Sequence, residues 1–562
     1  MFVKPIESNQ KNNILMKLHQ FKSISAAILV LSLCFNSITA QSLGDQLTKL
    51  FSESYKENET GATVMVAKEG KIIYKNAFGL ANLELNVPMQ ADNVFEIGSI
   101  TKQFTAVAIL MLQEQGKLDI NDPITKFIPD YPTHGKTITI HHLLNHTSGI
   151  KSYTSMNLQE IARTDMTPKE LIDFFKNEPM DFDPGEQWSY NNSGYILLGY
   201  IIEKSSGMSY EDFIETKIFK PLGMENSRYG HKLEIIKNRA YGYQKSDNYR
   251  NAEYLSMTLP YAAGSLMSTV EDLQKWQLGL TQNKLTKKET LALAHQNTTL
   301  NNNKPTYYGY GWSVNEIQGI PTVEHGGGIF GYTSYQIYVP SKDLQIAVLT
   351  NCNCNSPTDI TIEAAAIALG KPYSSTEKIS LKEEQLKEYV GLYRFEDGAE
   401  RAIGFENGTL YSQRDGGKKF IILPKSASTF YYEDSFSEII FNKSPKGINA
   451  IFKNRINAIE GQRVSKELPK EKKEIKVDAE ILKRYTGTYE IQPGFDMVVT
   501  LKDGQLISQA TGQPSFIIHP ESETKFFVKE FPAAVEFVVE NGVVDKAILF
   551  QGGRQTTMVR KN

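Results

Sequence analysis

The stretch Phe95-Glu96-Ile97-Gly98-Ser99-Ile100-Thr101-Lys102-Gln103-Phe104-Thr105 organises this chain. Behind it, Phe104, Val107, Ala108, Met111 and Leu112 fall at i, i+3, i+4, i+7 and i+8, the apolar stripe of a helix. Ile109 and Leu110 widen that stripe until little of the surface is polar, which predicts a buried helix. Gly116 stands where a C′ glycine would end it. Gly98 permits a tight entry, so Ser99 sits at the helix N-terminus, where free N–H groups and the dipole favour negative charge. Lys102, three residues on, shares its face. A hydroxyl beside an ammonium at a buried helix start is a candidate activated nucleophile. Spacing alone does not decide this, because Ser-x-x-Lys also occurs at Ser8–Lys11, Ser375–Lys378 and Ser522–Lys525. The glycine before it and the long apolar helix after it set this match apart.

Working outward, Ala62–Ala67 and Lys71–Phe78 read as a hairpin around Lys68-Glu69-Gly70. From Ser99 to about residue 300 the pattern is mostly helical with long loops. Thr139 can cap a helix through Leu144, and Ser268-Thr269-Val270-Glu271 reads as a capping box opening another. Strands return at Thr322–His325, Thr333–Val339 and Leu344–Thr350, and a helix over Ile360–Leu369 closes the region. This order predicts an α/β domain, an antiparallel sheet flanked by helices plus a helical lobe, over residues 41–371.

Beyond Lys371 the chain repeats itself at an offset of 96, the difference between Tyr389 and Tyr485. The same offset carries Gly391 to Gly487, Tyr393 to Tyr489, Gly408 to Gly504, Leu410 to Leu506, Pro424 to Pro520, Phe430 to Phe526 and Phe441 to Phe537. Two copies of one β-rich unit follow, at 381–464 and 478–562, joined by the charged stretch Lys466–Lys476. Each has the length and alternation of a small antiparallel barrel.

Composition bounds the function. A 562-residue chain, 40% hydrophobic and 22% charged with net charge −3, exceeds one ordinary core and carries no electrostatic footprint for nucleic acid. Lys17 and Lys22 precede an apolar run from Ile24 to Phe35, and Ile38-Thr39-Ala40 offers a cleavage site. Residues 1–40 therefore read as a signal peptide, with Met16 a better start than Met1. The run is too short for a stable membrane span. Cys34 offers a lipoprotein alternative that the bulky Leu33 disfavours. The expected destination is periplasmic or secreted. In the mature chain only Cys352 and Cys354 remain; they are expected to be two small buried residues at a strand end, since a disulfide across one residue would be strained.

Further candidates for chemistry lie downstream. Trp188-Ser189-Tyr190-Asn191-Asn192-Ser193-Gly194 places Tyr190 and Asn192 two apart in an irregular segment, where both can face one cavity. Glu324-His325-Gly326-Gly327-Gly328 ends a strand and begins a turn whose glycines let a ligand approach the backbone. His141, His142 and His146 lack the third ligand of a metal site and read as structural.

Together these residues resemble the serine β-lactamase and penicillin-binding-protein superfamily, closest to its class C-like branch, over residues 45–370. The likeness rests on Ser99-x-x-Lys102, Tyr190-x-Asn192 and His325-x-Gly327 in that order. The framework stretches Ile140–Gly149, Tyr195–Gly199 and Phe219–Met224 support it. The resemblance implies an acyl-enzyme on Ser99 without cofactor or metal. Lys102 and Tyr190 would share general-base work, and Tyr190 would also protonate the leaving group. Asn192 would orient Lys102 and substrate. The backbone N–H groups of Ser99 and Gly328 would form an oxyanion hole. His325 replaces the lysine of the usual Lys-Thr-Gly, which puts penicillin hydrolysis in doubt, and with Gly327 it would orient substrate. His-x-Gly followed by two β-units looks like the D-aminopeptidases and related esterases, whose barrels pack on the catalytic domain and shape its cleft. The expected function is an exported serine hydrolase of small amides, peptides or esters. The alternatives are a β-lactamase or D-alanyl-D-alanine carboxypeptidase-type enzyme on cell-wall-like substrates, and a non-catalytic ligand-binding protein.

Overall fold

A computed structural model describes residues 42–231, 233–354, 356–373, 379–433, 435–445, 447–469, 474–492, 495–511, 513–531, 533–551 and 554–561. The expected signal peptide, Met16 and Cys34 lie outside these residues. The chain divides into two compact units: Pro321–Pro372 with everything up to Val314, and Asn315–Ile320 with everything from Tyr373.

A six-stranded sheet assembles from distant parts of the chain. Its strands are β1 (Ala62–Lys68), β2 (Lys71–Phe78), β3 (Ser313–Ile317), β4 (Ile320–Ile329), β5 (Tyr332–Val339) and β6 (Leu344–Thr350), in the order β3-β4-β5-β6-β1-β2. β1 runs antiparallel to β6, with Val64 opposite Val348, so the first hairpin closes against the last strand. Both of these central strands are buried almost throughout, which is why they read as continuous apolar runs. Helices α1 (Leu43–Ser54) and α2 (Thr101–Glu114) flank the sheet and the lobe; α3 (Asn192–Ser206) and α4 (Val270–Thr281) follow, and α5 (Thr358–Ala368) closes the unit. α2 is buried over eleven of its residues, including Lys102, as the widened stripe predicts. Phe104 stacks on Trp276 of α4 with ring centroids 4.0 Å apart, fixing the helix carrying Lys102 against α4.

Several local expectations are corrected. Ser99 lies in a 3-10 turn, Gly98–Ile100, just before α2 rather than in its first α-helical turn. α4 is capped by Thr269, whose hydroxyl accepts from the Asp272 N–H; Ser268 ends a short strand instead. His325 to Gly328 do not begin a turn. They stay extended inside β4 and pair with β5, Gly327 opposite Ser334, and the chain reverses only at Phe330-Gly331, where Gly331 has φ +88°. Cys352 and Cys354 form a disulfide, with Cα atoms 5.2 Å apart. The turn after β6 brings the two Cα atoms within ordinary bridging distance.

The second unit contains two closed eight-stranded antiparallel barrels, from Gly391–Phe395 to Asn457–Ser465 and from Gly487–Gln492 to Arg554–Lys561. The offset of 96 survives into their geometry. Tyr393 and Tyr489 each donate to the carbonyl four residues earlier at 2.9 Å, and Tyr389–Phe441 and Tyr485–Phe537 each stack at 4.4 Å. Among the described residues no helix is long and apolar enough to cross a membrane.

Candidate active site

Four chain segments converge on Ser99. The 3-10 turn holds it beside β4, where Gly98 adopts φ +51° and a Cβ there would lie 2.8 Å from the Gly328 nitrogen. Only glycine allows the two backbones to run this close. At Gly327 a Cβ would meet the Ile97 carbonyl at 2.0 Å and Ser334 Oγ at 2.3 Å. Ser334 Oγ donates to that same carbonyl at 2.9 Å and ties β5 to the turn. The backbones of Ser99 and Gly328, the expected oxyanion donors, are thus brought side by side along one cleft.

Lys102 Nζ lies 3.1 Å from Ser99 Oγ. It also donates to Asn192 Oδ1 at 2.8 Å and to the Ala263 carbonyl at 2.8 Å. No carboxylate among the described residues pairs with it, and complete burial pushes its pKa well below the usual lysine value. A neutral amine has two N–H bonds, and two acceptors stand ready for them. Its lone pair is then left for the Ser99 hydroxyl, which becomes the donor in that contact.

Tyr190 lies just before Asn191, the cap of α3, and Asn192 is the first residue of that helix; the expected irregular segment ends here. Lys102 Nζ stands 4.8 Å from the Tyr190 ring centroid. Tyr190 is 36% exposed as a residue, and desolvation by the surrounding site still raises its pKa; the hydrogen bond with Ser99 opposes this and is outweighed. Tyr190 is therefore a phenol at rest, poised to donate.

His325 is buried behind this group. Its Nδ1–H donates to the Gly326 carbonyl at 2.5 Å, and Nε2 accepts from the Tyr308 hydroxyl at 2.8 Å. Burial, and then the proximity of Lys102, lower its pKa to about 3 against the weaker pull of the Gly326 carbonyl. It is a neutral imidazole with both nitrogens engaged within the protein.

Sequence reasoning does not find three contributors. The Ala263 carbonyl, on the short helix Tyr261–Gly264, carries no side-chain signal. Tyr308 has none either. His146 reads from sequence as a structural residue, with a metal role set aside. Its Nδ1 accepts from the Asn191 N–H at 3.1 Å, and its ring packs 4.4 Å from Tyr190 and 4.8 Å from Tyr308. Its neighbours in sequence also go to protein partners: His142 Nδ1 accepts from the Thr139 N–H, and His141 Nδ1 lies 2.7 Å from the Tyr310 hydroxyl. The cleft beside Ser99 has a volume of about 320 Å³ and is walled by Tyr153, Leu158, Leu255, Leu259, Pro260 and Phe330, with Asn353 from the disulfide turn at its rim.

The chain is similar to known proteins. A family model described as Beta-lactamase matches residues 46–369, and a model described only as a domain of unknown function matches 471–560. The chain is 32% identical over 424 residues to penicillin-binding protein 4* of Bacillus subtilis, covering 70% of this chain and 93% of that one. An octameric penicillin-binding protein homologue from Pyrococcus abyssi superposes with TM-score 0.53 at 28% identity, covering 74% of this chain and 99% of its own. A D-amino acid amidase from Ochrobactrum anthropi SV3, solved with D-phenylalanine, superposes with TM-score 0.52 at 25% identity over 58% and 99%.

Proposed function

The chain belongs to the Beta-lactamase family of serine hydrolases, and from that membership we propose that it cleaves small amides, peptides or esters through an acyl-enzyme on Ser99. The observation that carries the assignment of roles is the Lys102 amine, held by Asn192 and Ala263 with its remaining valence toward Ser99 Oγ. Ser99 Oγ attacks the substrate carbonyl carbon while its proton passes to Lys102 Nζ. The resulting oxyanion is received by the Ser99 and Gly328 N–H groups. Collapse expels the leaving group, which takes a proton from Tyr190; Lys102 restores the Tyr190 proton. Water then repeats the sequence on the ester and frees Ser99. The lowered lysine pKa and raised tyrosine pKa favour Lys102 as base and Tyr190 as acid.

The neutral His325 supports amide and ester substrates over penicillins, because no fixed cation stands in the third motif. The likeness to a D-amino acid amidase points the same way. A carboxypeptidase-type activity on cell-wall-like substrates is the second reading, favoured by the likeness to penicillin-binding protein 4*. Export remains part of the proposal, supported by the charged and apolar pattern of residues 17–40 and by a disulfide, which persists in oxidising compartments. The test is a panel of chromogenic esters, D-amino-acid amides and a cephalosporin on the purified protein, with fluorophosphonate labelling of native enzyme and Ser99→Ala. Labelling or turnover that persists in the alanine variant would refute the assignment.

A further inference from the structure

We propose, resting on the reading of Ser99 as an acylated nucleophile, that the acyl group it accepts is uncharged and apolar, and that the cleft beside it is an acyl-chain pocket. The walls come from three segments whose lining side chains carry no charge: Tyr153 and Leu158 on the short helices Tyr153–Ser155 and Leu158–Ile161, Leu255, Leu259 and Pro260 from the stretch before the helix Tyr261–Gly264, and Phe330 from the turn after β4. Two of the polar side chains that line the cleft are already engaged. Tyr153 donates to the Leu259 carbonyl at 2.8 Å, and Asn192 spends its carboxamide on Lys102 and, through Nδ2 at 3.1 Å, on Thr154. An ionised group entering here would shed its water and find no oppositely charged side chain on these walls, a cost that is large unless repaid by pairing. Apolar chain gains with every methylene buried.

The polarity of the site decides which half of the substrate this is. The leaving atom must face its proton donor, Tyr190, which stands among His146, Tyr308 and His325 with ring centroids 4.4, 6.5 and 6.1 Å away. Those residues lie on other segments than the apolar walls. The half that stays on Ser99 is therefore the half that fills the cleft.

The experiment follows p-nitrophenol release by the full chain from p-nitrophenyl alkanoates of increasing acyl length. We expect kcat/KM to rise about fourfold per methylene until the cleft of about 320 Å³ is filled, then to fall. The hemisuccinate ester should run about tenfold or more below the butyrate ester of equal length, because its carboxylate finds no cation on these walls. Leu158→Trp, at a partly exposed position, should move the optimum to shorter chains, and Phe330→Ala should move it to longer ones. A flat or falling series, a preference for the hemisuccinate, or an optimum that neither variant moves would overturn the acyl pocket while fluorophosphonate labelling of Ser99 stayed intact. Native enzyme that fluorophosphonate fails to label at Ser99 would instead overturn the hydrolase reading, and the pocket with it.

Discussion

Lys102 Nζ lies 3.1 Å from Ser99 Oγ with no carboxylate beside it among the described residues. An ammonium in that position would be a buried, uncompensated charge, an arrangement that ordinarily costs several kcal/mol. The protein meets the difficulty by keeping the group as an amine, and the same choice creates a base. Stability and catalysis at this position are therefore coupled through one proton.

Stability should report that proton directly. The folded-state pKa of Lys102 is depressed by burial, whereas in the unfolded chain it takes its ordinary value, so the unfolded state binds more protons between the two. The cost to folding is full below the depressed pKa and fades as pH rises toward the ordinary one. Lys102→Met removes this dependence. The Tm difference, variant minus native, should shrink as pH rises from 6 to 9. A difference that grew with pH would contradict a neutral Lys102.

Activity should depend on the same group and not on the histidines. Loss of the base in Lys102→Met should cut kcat by about 10²- to 10⁴-fold. The acid limb of kcat/KM then reports protonation of Lys102. His325, with a pKa near 3, stays neutral throughout pH 5 to 8 and should shape no limb there. His325→Gln should change the height of the profile, through loss of the Tyr308 contact, but leave its midpoint in place. A midpoint that moved with this substitution would show His325 to be the titrating group.

The parts of this arrangement visible in the sequence are those with a period or a spacing. The α2 stripe, the Ser99–Lys102 offset and the repeat at 96 residues each survive into the structure as a buried helix, a 3.1 Å contact and two matched barrels. The Ala263 carbonyl is a backbone group, identical in every residue type, so no pattern could mark it as the second acceptor of Lys102. The cleft walls escape for a related reason: Leu158 opens a four-residue helix and Leu255 and Phe330 sit in loops, all too short for apolar residues to show a periodicity that announces a shared face. The glycines of β4 misled because glycine favours turns on average, whereas here it serves close approach between strand and 3-10 turn.

The disulfide offers a chemical check. With Cys352 and Cys354 bonded, the protein comprising residues 42–562 should show no thiol toward an aromatic disulfide reagent, even when denatured, and two after reduction. Two thiols in the unreduced, denatured protein would restore the free-cysteine expectation and weaken the case for an oxidising compartment. Because Asn353 lies between them at the cleft rim, reduction should alter KM more than kcat.

The glycine run of β4 yields the sharpest contrast between neighbouring positions. A Cβ at Gly327 would sit 2.0 Å from the Ile97 carbonyl and 2.3 Å from Ser334 Oγ, neither of which can withdraw without parting β4 from the turn that carries Ser99. Gly327→Ala should therefore lose about 1–3 kcal/mol of stability by overpacking and should also misplace the nucleophile. A Cβ at Gly328 meets nothing within 4 Å, because that position opens on the cleft. Gly328→Ala should keep its stability within about 0.5 kcal/mol, as a substitution that touches no packed group does. Its effect should fall on substrate instead, as a raised KM where the new methyl occupies cleft space. Urea denaturation of the two variants, read alongside kcat and KM, separates the outcomes. Equal losses of stability at both positions would mean that β4 and the Ser99 turn are not in the contact described, and the paired oxyanion donors would lose their geometric basis.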